Sequence, residues 1–230
     1  MAENVIEVRK VDKFYGTGSL RTQVLFGIDL GFEKGSFNSI IGASGSGKTT
    51  LLNILGTLDL PSSGEVLIDG ERTDGLTKNQ LAKLRNQTIG FVFQFHYLLP
   101  EYTALENVLL PVTIKKGRPD PSDVKRAEEL MDLVGILNVK DNLATNMSGG
   151  QQQRTAVARA LINEPKIVLA DEPTGNLDSE STATIYQRFR YINETLGTTF
   201  VIVTHDRRIA EQTDRIVGVK DGRIDMDVRK

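Results

Sequence analysis

One stretch constrains this chain more than any other: Gly42-Ala43-Ser44-Gly45-Ser46-Gly47-Lys48-Thr49-Thr50. It fits the spacing G-x-x-x-x-G-K-[ST]. It also stands between a β-rich apolar run at 36–41 and a run with helical spacing at 48–58. Glycines let the backbone turn tightly enough to aim successive N–H groups at one point, and the following helix adds the positive end of its dipole. Such a bend holds phosphate. Lys48 is placed to neutralise the outer phosphate oxygens, and the Thr49 hydroxyl to ligate Mg²⁺. A flexible glycine loop with an incidental lysine has the same letters but not the same flanks. A strand that feeds a helix this way also points to an α/β fold with a mostly parallel sheet.

A phosphate loop binds; hydrolysis needs a base as well. Ile167-Val168-Leu169-Ala170-Asp171-Glu172 is a buried-type strand ending in two acids, at the end where α/β sheets meet their ligands. Asp171 is placed to hold Mg²⁺ through water, and Glu172 to act as general base on an attacking water. Alone, this pattern describes any strand that ends at the surface; behind a phosphate loop it carries more weight. Ser148-Gly149-Gly150-Gln151 opens another helical run, and its bare backbone suits a second anion. The plainer reading is a simple capping box. Two phosphate-binding helix starts in one chain point instead to a nucleotide shared between two copies.

The 230 residues include 28 Lys plus Arg against 30 Asp plus Glu, a net charge of -2, with 39% hydrophobic residues and neither Cys nor Trp. That balance excludes global disorder and argues against a dedicated nucleic-acid binder, which is usually basic. Without cysteine there is no disulfide, thiolate metal site or cysteine nucleophile. Residues 1–10 lack the apolar core of a signal peptide, and no stretch nears the about 20 apolar residues that span a bilayer. The expectation is a soluble chain whose membrane role comes through a partner.

Strand signals fall at 5–11, 24–32, 36–41, 65–68, 89–93, 167–170, 199–204 and 216–220, with a last strand after the Asp221-Gly222 turn. Three capping boxes, Thr77-x-x-Gln80, Thr103-x-x-Glu106 and Ser148-x-x-Gln151, predict helix starts. The helix after Thr103 is expected to end near Pro111, before a polar loop at 115–123, and 123–134 is helical by spacing. Ile185, Phe189, Ile192 and Leu196 mark one face of a helix that Gly197 closes. Because 96–163 has almost no strand signal, it reads as a helical subdomain inserted into the α/β core.

In chain order, these pieces resemble the ATP-binding subunit of ABC transporters over essentially the whole length. Tyr15 fits the aromatic that stacks on adenine, Gly42 to Thr50 the Walker A loop, and Gln94 the glutamine that reaches Mg²⁺ and the water. Asn146-Met147-Ser148-Gly149-Gly150-Gln151 fits the signature usually written LSGGQ, with Met147, of similar volume, in place of leucine. Asp171 and Glu172 fit Walker B and the catalytic glutamate, Asn176-Leu177-Asp178 the D-loop, and His205 the switch histidine at the γ-phosphate. Phe95-His96-Tyr97-Leu98-Leu99-Pro100, Thr103-Ala104-Leu105-Glu106-Asn107-Val108 and residues 169–178 look like the lipoprotein-release and macrolide-efflux branch. Cell-division and antimicrobial-peptide relatives share much of that pattern.

The resemblance implies a P-loop NTPase (RecA-like) core, mostly parallel, with an N-terminal antiparallel β part and an inserted α-helical subdomain. It implies one nucleotide-binding domain over 1–230, with an ATP-binding core at 1–95 and 164–230 and a signature subdomain at 96–163. Glu172, His205, Gln94 and Lys48 are then catalytic, and Thr49, Gln94 and Asp171 serve Mg²⁺. The nucleotide contacts are Tyr15, Gly42, Ala43, Ser44, Gly45, Ser46, Gly47, Lys48, Thr49 and Thr50, with Ser148, Gly149, Gly150, Gln151 and Asp178. The implied cofactors are ATP and Mg²⁺. The implied partners are a second copy, in an ATP-sandwich dimer, and an integral membrane permease, with no nucleic acid. The permease would dock near 94–110, where Phe95, Tyr97, Leu98, Leu99, Pro100 and Tyr102 cluster. The implied place is peripheral, on the cytoplasmic face of the inner membrane. The cargo, whether lipoprotein, peptide or drug, stays open.

Other candidates take blander readings. His96 reads as structural or surface, Phe14 is an alternative to Tyr15, and Lys115, Lys116 and Arg118 read as a solvated loop. The competing function is a soluble ABC ATPase of DNA repair or translation. The repair class carries a long coiled coil before the signature, and no sustained heptads occur here. The translation class carries two cassettes, and this chain has one. GTP is disfavoured because Asn138-Val139-Lys140-Asp141 has the wrong order for a guanine-reading N-K-x-D.

Overall fold

The structure, a computed structural model, describes residues 3–175 and 179–230. In chain order it forms β1 (Asn4–Tyr15), β2 (Thr22–Glu33), β3 (Phe37–Ile41), α1 (Lys48–Leu55), β4 (Ser63–Ile68) and β5 (Glu71–Arg72). Then come α2 (Lys78–Thr88), β6 (Ile89–Phe93), α3 (Ala104–Lys116), α4 (Pro121–Leu133) and α5 (Gly149–Leu161). The last part alternates: β7 (Ile167–Asp171), α6 (Ser179–Leu196), β8 (Thr199–Val203), α7 (Arg207–Ala210), β9 (Arg215–Lys220) and β10 (Arg223–Arg229).

Two sheets result. One is antiparallel, in the order β2-β1-β4-β5. The other runs β10-β9-β3-β8-β7-β6 and is parallel apart from β10, which returns on β9 through Asp221 and Gly222, both at positive φ. The parallel strands are buried on both faces, and alternate residues divide between two apolar clusters. Ile167, Leu169, Val201 and Val203 join α1 and the antiparallel sheet. Val168, Ala170, Phe200 and Ile202 join α3, α4, α5 and α6. The register sets Phe93, Asp171 and Val203 side by side, with Ile40 beside Val203. So Gly42, Gln94, Glu172 and Thr204 all leave the sheet at one edge.

The three expected capping boxes form, each with its reciprocal pair of hydrogen bonds. Four expectations are corrected. α3 does not end at Pro111 but runs through it to Lys116. Val112 is buried one turn beyond Val108, and Asn86 donates to the Pro111 carbonyl at 3.0 Å, so tertiary contacts offset the missing N–H. The loop expected at 115–123 therefore shrinks, and α4 starts at Pro121 with Asp120 as its cap in a fourth box with Asp123. α1 stops at Leu55, because Gly56 caps it and Thr57 turns to a φ of 54°. Leu196 is exposed, whereas Ile185, Phe189 and Ile192 are buried. No described helix is long and apolar enough to cross a membrane.

Candidate active site

Gly47 caps α1 with a φ of 104°, a conformation open to glycine, and a Cβ there would sit 2.9 Å from Leu25 Cδ2. A Cβ at Gly42 would lie 2.6 Å from Ser46 Oγ and run into the Val219 carbonyl. The loop thus wraps as tightly as its glycines allow. It is tied to the rest of the fold by the Gly222 N–H, which donates to the Ser46 carbonyl at 3.0 Å. Inside the bend, Lys48 Nζ donates to the Ala43 carbonyl at 2.8 Å, and Ser46 Oγ is buried with no partner. A buried hydroxyl without a partner, an ammonium and a helix start are donors facing one place, and they fit a polyphosphate.

Asp171 ends β7, half-buried, with the Thr49 side chain close beside it. Burial lifts its pKa above the ordinary carboxylate value. The Thr49 side chain opposes that rise, the Glu172 charge adds to it, and Lys48 opposes it. A threonine hydroxyl and a carboxylate side by side are hard oxygen donors, which suit Mg²⁺ with phosphate and water completing its shell. The next residue, Glu172, has a φ of 46°, and its N–H donates to the Val203 carbonyl at 3.0 Å. That left-handed turn swings the side chain across to β8, where Glu172 Oε2 lies 2.9 Å from His205 Nδ1. Gln94 follows β6, and a Cβ on Gly175 would meet its amide nitrogen at 2.8 Å.

Tyr15 ends β1 and is 42% exposed. Its hydroxyl donates to Asp59 Oδ2 at 2.7 Å and lies near the Thr50 side chain, so the ring stands beside α1. Lys13 Nζ donates to Asp59 Oδ1 at 2.5 Å and stands 4.8 Å from the Tyr15 ring centre. Burial works to raise the Asp59 pKa, yet the bonds from Lys13 and Tyr15 outweigh it and hold the carboxyl below its usual range. The alternative aromatic, Phe14, is instead covered by the Arg21 guanidinium at 3.9 Å. Sequence reasoning missed Lys13 and Asp59, because nothing local marks an aspartate that reaches back to β1.

Gly42 to Ser46 line a cavity of about 450 Å³ that His205 also borders, and Glu172 and His205 line a second of about 370 Å³. Neither includes Ser148, Gly149, Gly150 or Gln151. Ser148 and Gly149 are exposed, with open space around Gly149. Met147 fills the leucine place, buried in the helical cluster. Asp178, with Asn176 and Leu177, lies outside the described residues. Among the described residues no group of three or more His, Cys, Asp or Glu forms a metal cluster.

The family description "ABC transporter" matches residues 25–175. This chain belongs to the ABC transporter family. Like other members it resembles, it is similar over nearly its whole length to curated relatives. The lipoprotein-releasing system ATP-binding protein LolD 1 of Rhodopseudomonas palustris is 52% identical over 222 residues, 96% of this chain and 98% of the relative. LolD of Shewanella frigidimarina is 49% identical over 95% of this chain and 91% of its own length. Among solved structures, the ATP-binding cassette MJ0796, a dimer in a post-hydrolysis state bound to ADP and Pi, superposes on this ABC chain with a TM-score of 0.91. It is 42% identical, and the match covers 97% of this chain and 98% of that one.

Proposed function

We propose that the chain is the ATP-hydrolysing subunit of a membrane transporter. Two copies enclose two ATP, and the permease they drive releases lipoproteins from the membrane. One observation carries the two-copy reading: the chain gathers Lys48, Thr49, Asp171, Glu172 and His205 at one sheet edge, while Ser148 to Gln151 borders neither of their cavities. An anion-binding helix start that is exposed in one copy is free to meet the nucleotide of another. The names of the relatives, and a solved dimeric cassette bound to ADP and Pi, support the cargo and the pairing.

In this reading Lys48 and the loop N–H groups grip the β and γ phosphates, and Tyr15 offers its face to adenine. Thr49 and Asp171, aided by Gln94, would hold Mg²⁺, which would supply neutralising charge at the phosphate oxygens. Glu172 takes a proton from the attacking water, and His205, with Nδ1 turned to Glu172, leaves Nε2 for the γ-phosphate. Ser148, Gly149, Gly150, Gln151 and Asp178 close the site from the second copy. The ATP-binding core then comprises 1–95 and 164–230, and the signature subdomain 96–163. Next to β6 lies an apolar groove of about 500 Å³, lined by Leu58, Ala82, Phe93, Tyr97, Leu110 and Ile114. It is the seat for the permease, which holds the chain peripherally on the cytoplasmic face of the inner membrane.

Mixing tests the pairing. A Lys48→Ala copy and a Ser148→Ala copy, each inactive alone, together form one site with both lesions and one with neither. Restored ATPase activity on mixing is expected. Activity that is linear in dilute protein, with no ATP-dependent dimer by light scattering, removes the shared site. The cargo reading fails if the chain, reconstituted with the permease that co-purifies with it, releases no lipoprotein from proteoliposomes on adding ATP.

A further inference from the structure

Arg159 stands in the last turn of α5, far from Ser148 at the helix start. Among the described residues no carboxylate pairs with it in a salt bridge. Its guanidinium instead spans two successive carbonyls, with Nη1 donating to Tyr97 at 2.6 Å and Nη2 to His96 at 2.7 Å. Between those two carbonyls Tyr97 takes a φ of 47°, a left-handed conformation that is strained for a bulky residue. Burial lowers the Arg159 pKa to about 10, so the charge persists at neutral pH without an acid to balance it.

The same segment also passes the other end of α5. Burial lowers the pKa of His96, and the nearby Gly149 and Gln94 backbones oppose that fall, while its Nδ1 stays buried without a partner. Residues 94–97 therefore lie beside the first turn of α5 and are held to its last turn by Arg159. A helix of 13 residues is stiff over its about 20 Å length. A forked guanidinium fixes direction as well as distance, which a lysine ammonium does not.

We propose that Arg159 is a positioning residue for the shared site: it locks the 94–97 segment to α5, so that where Gln94 sits at its own nucleotide sets where Ser148 to Gln151 sit at the partner copy's. This rests on the shared-site reading above. It assigns to Arg159 no touch with nucleotide. The groove beside β6 includes Tyr97 and Arg159 as well, so a permease seated there meets the same clamp.

The test uses the full chain in a Glu172→Gln background, where ATP should accumulate the dimer. Arg159→Met keeps the bulk of the stem and removes the half-buried charge with both donors, leaving the His96 and Tyr97 carbonyls to find water at the partly exposed groove. The expected result is ATP-driven dimerisation weakened by about tenfold, with ADP affinity within about twofold and the melting midpoint not lowered by more than a few degrees. Arg159→Lys, which keeps the charge and reaches one carbonyl, should fall between, and it carries the same test if the Met variant does not fold. Undiminished dimerisation in these variants overturns the assignment. So does a loss that tracks equal losses in ADP affinity and melting temperature, the mark of a loosened fold. If Glu172→Gln alone forms no ATP dimer, the shared-site reading falls first, and this one with it.

Discussion

The Tyr15 hydroxyl is anchored on Asp59, 2.7 Å away, at the foot of the helix that follows the phosphate loop. The ring is thereby fixed at an angle set by a residue that touches no phosphate. Asp59→Ala should free the ring and weaken ATP and ADP binding alike by roughly five- to tenfold, while leaving turnover at saturation almost unchanged. Titration calorimetry and steady-state kinetics read the two separately. A variant with full affinity would show that Tyr15 needs no anchor. Because the folded pKa of Asp59 is depressed, its stabilising effect is full above the ordinary carboxylate pKa and fades as the pH falls below it. Asp59→Asn should accordingly flatten the acid limb of the stability curve.

Glu172→Gln keeps the shape at the end of β7 and removes the base, so ATP turnover should fall roughly 10²–10⁴-fold while ATP still binds. Its partner gives a second handle. His205→Ala removes the nitrogen 2.9 Å from Glu172, so it should lower turnover without abolishing nucleotide binding. Near-normal hydrolysis by the Gln variant removes Glu172 from the role of base.

Gly90 in β6 lies against α5 so closely that a Cβ would run into the Ala160 carbonyl and stand 3.2 Å from the Ala160 Cβ. Gly90→Ala should therefore destabilise the chain by about 1–3 kcal/mol, although alanine is a mild change elsewhere. Denaturant unfolding measures it. A wild-type midpoint would mean that strand and helix part at no cost.

Ile114 is 75% exposed on the rim of the groove beside β6. Ile114→Asp should leave the isolated subunit folded and ATP-binding, and reduce its co-purification with the permease. Intact assembly, with stimulation of ATPase activity, would move the docking seat elsewhere.

What could be read in advance was whatever the chain writes locally. The phosphate loop is contiguous, and the capping boxes at Thr77, Thr103 and Ser148 each lie within four successive residues, so their helix starts appear where expected. The box at Asp120 does not stand out in the sequence, because its third helical residue is Asp123, not Glu or Gln, and because Pro121 reads equally as a loop or as a first helical position. Pro111 misled for the opposite reason: the rule that it ends a helix is local, and the burial of Val112 that overrides it is not. Leu196 has the right spacing but lies beyond the edge of the core. The ties from Asp59 to Tyr15 and from Arg159 to His96 join residues distant in the chain, and no pattern in either segment announces them.

The helices between β6 and β7 have no core of their own. Val108, Met131 and Val157 share one apolar cluster with Val168, Ala170, Ile202 and Phe189, across the back of the strand that bears Asp171. Cutting out 96–163 to study it alone would strip that wall bare, and a graft from a relative would have to match the methyl groups of β7 and β8 before it could match anything at the nucleotide. Exchange of this region between cassettes is thus limited first by fit at a hidden seam, and natural variation should concentrate on its outer face.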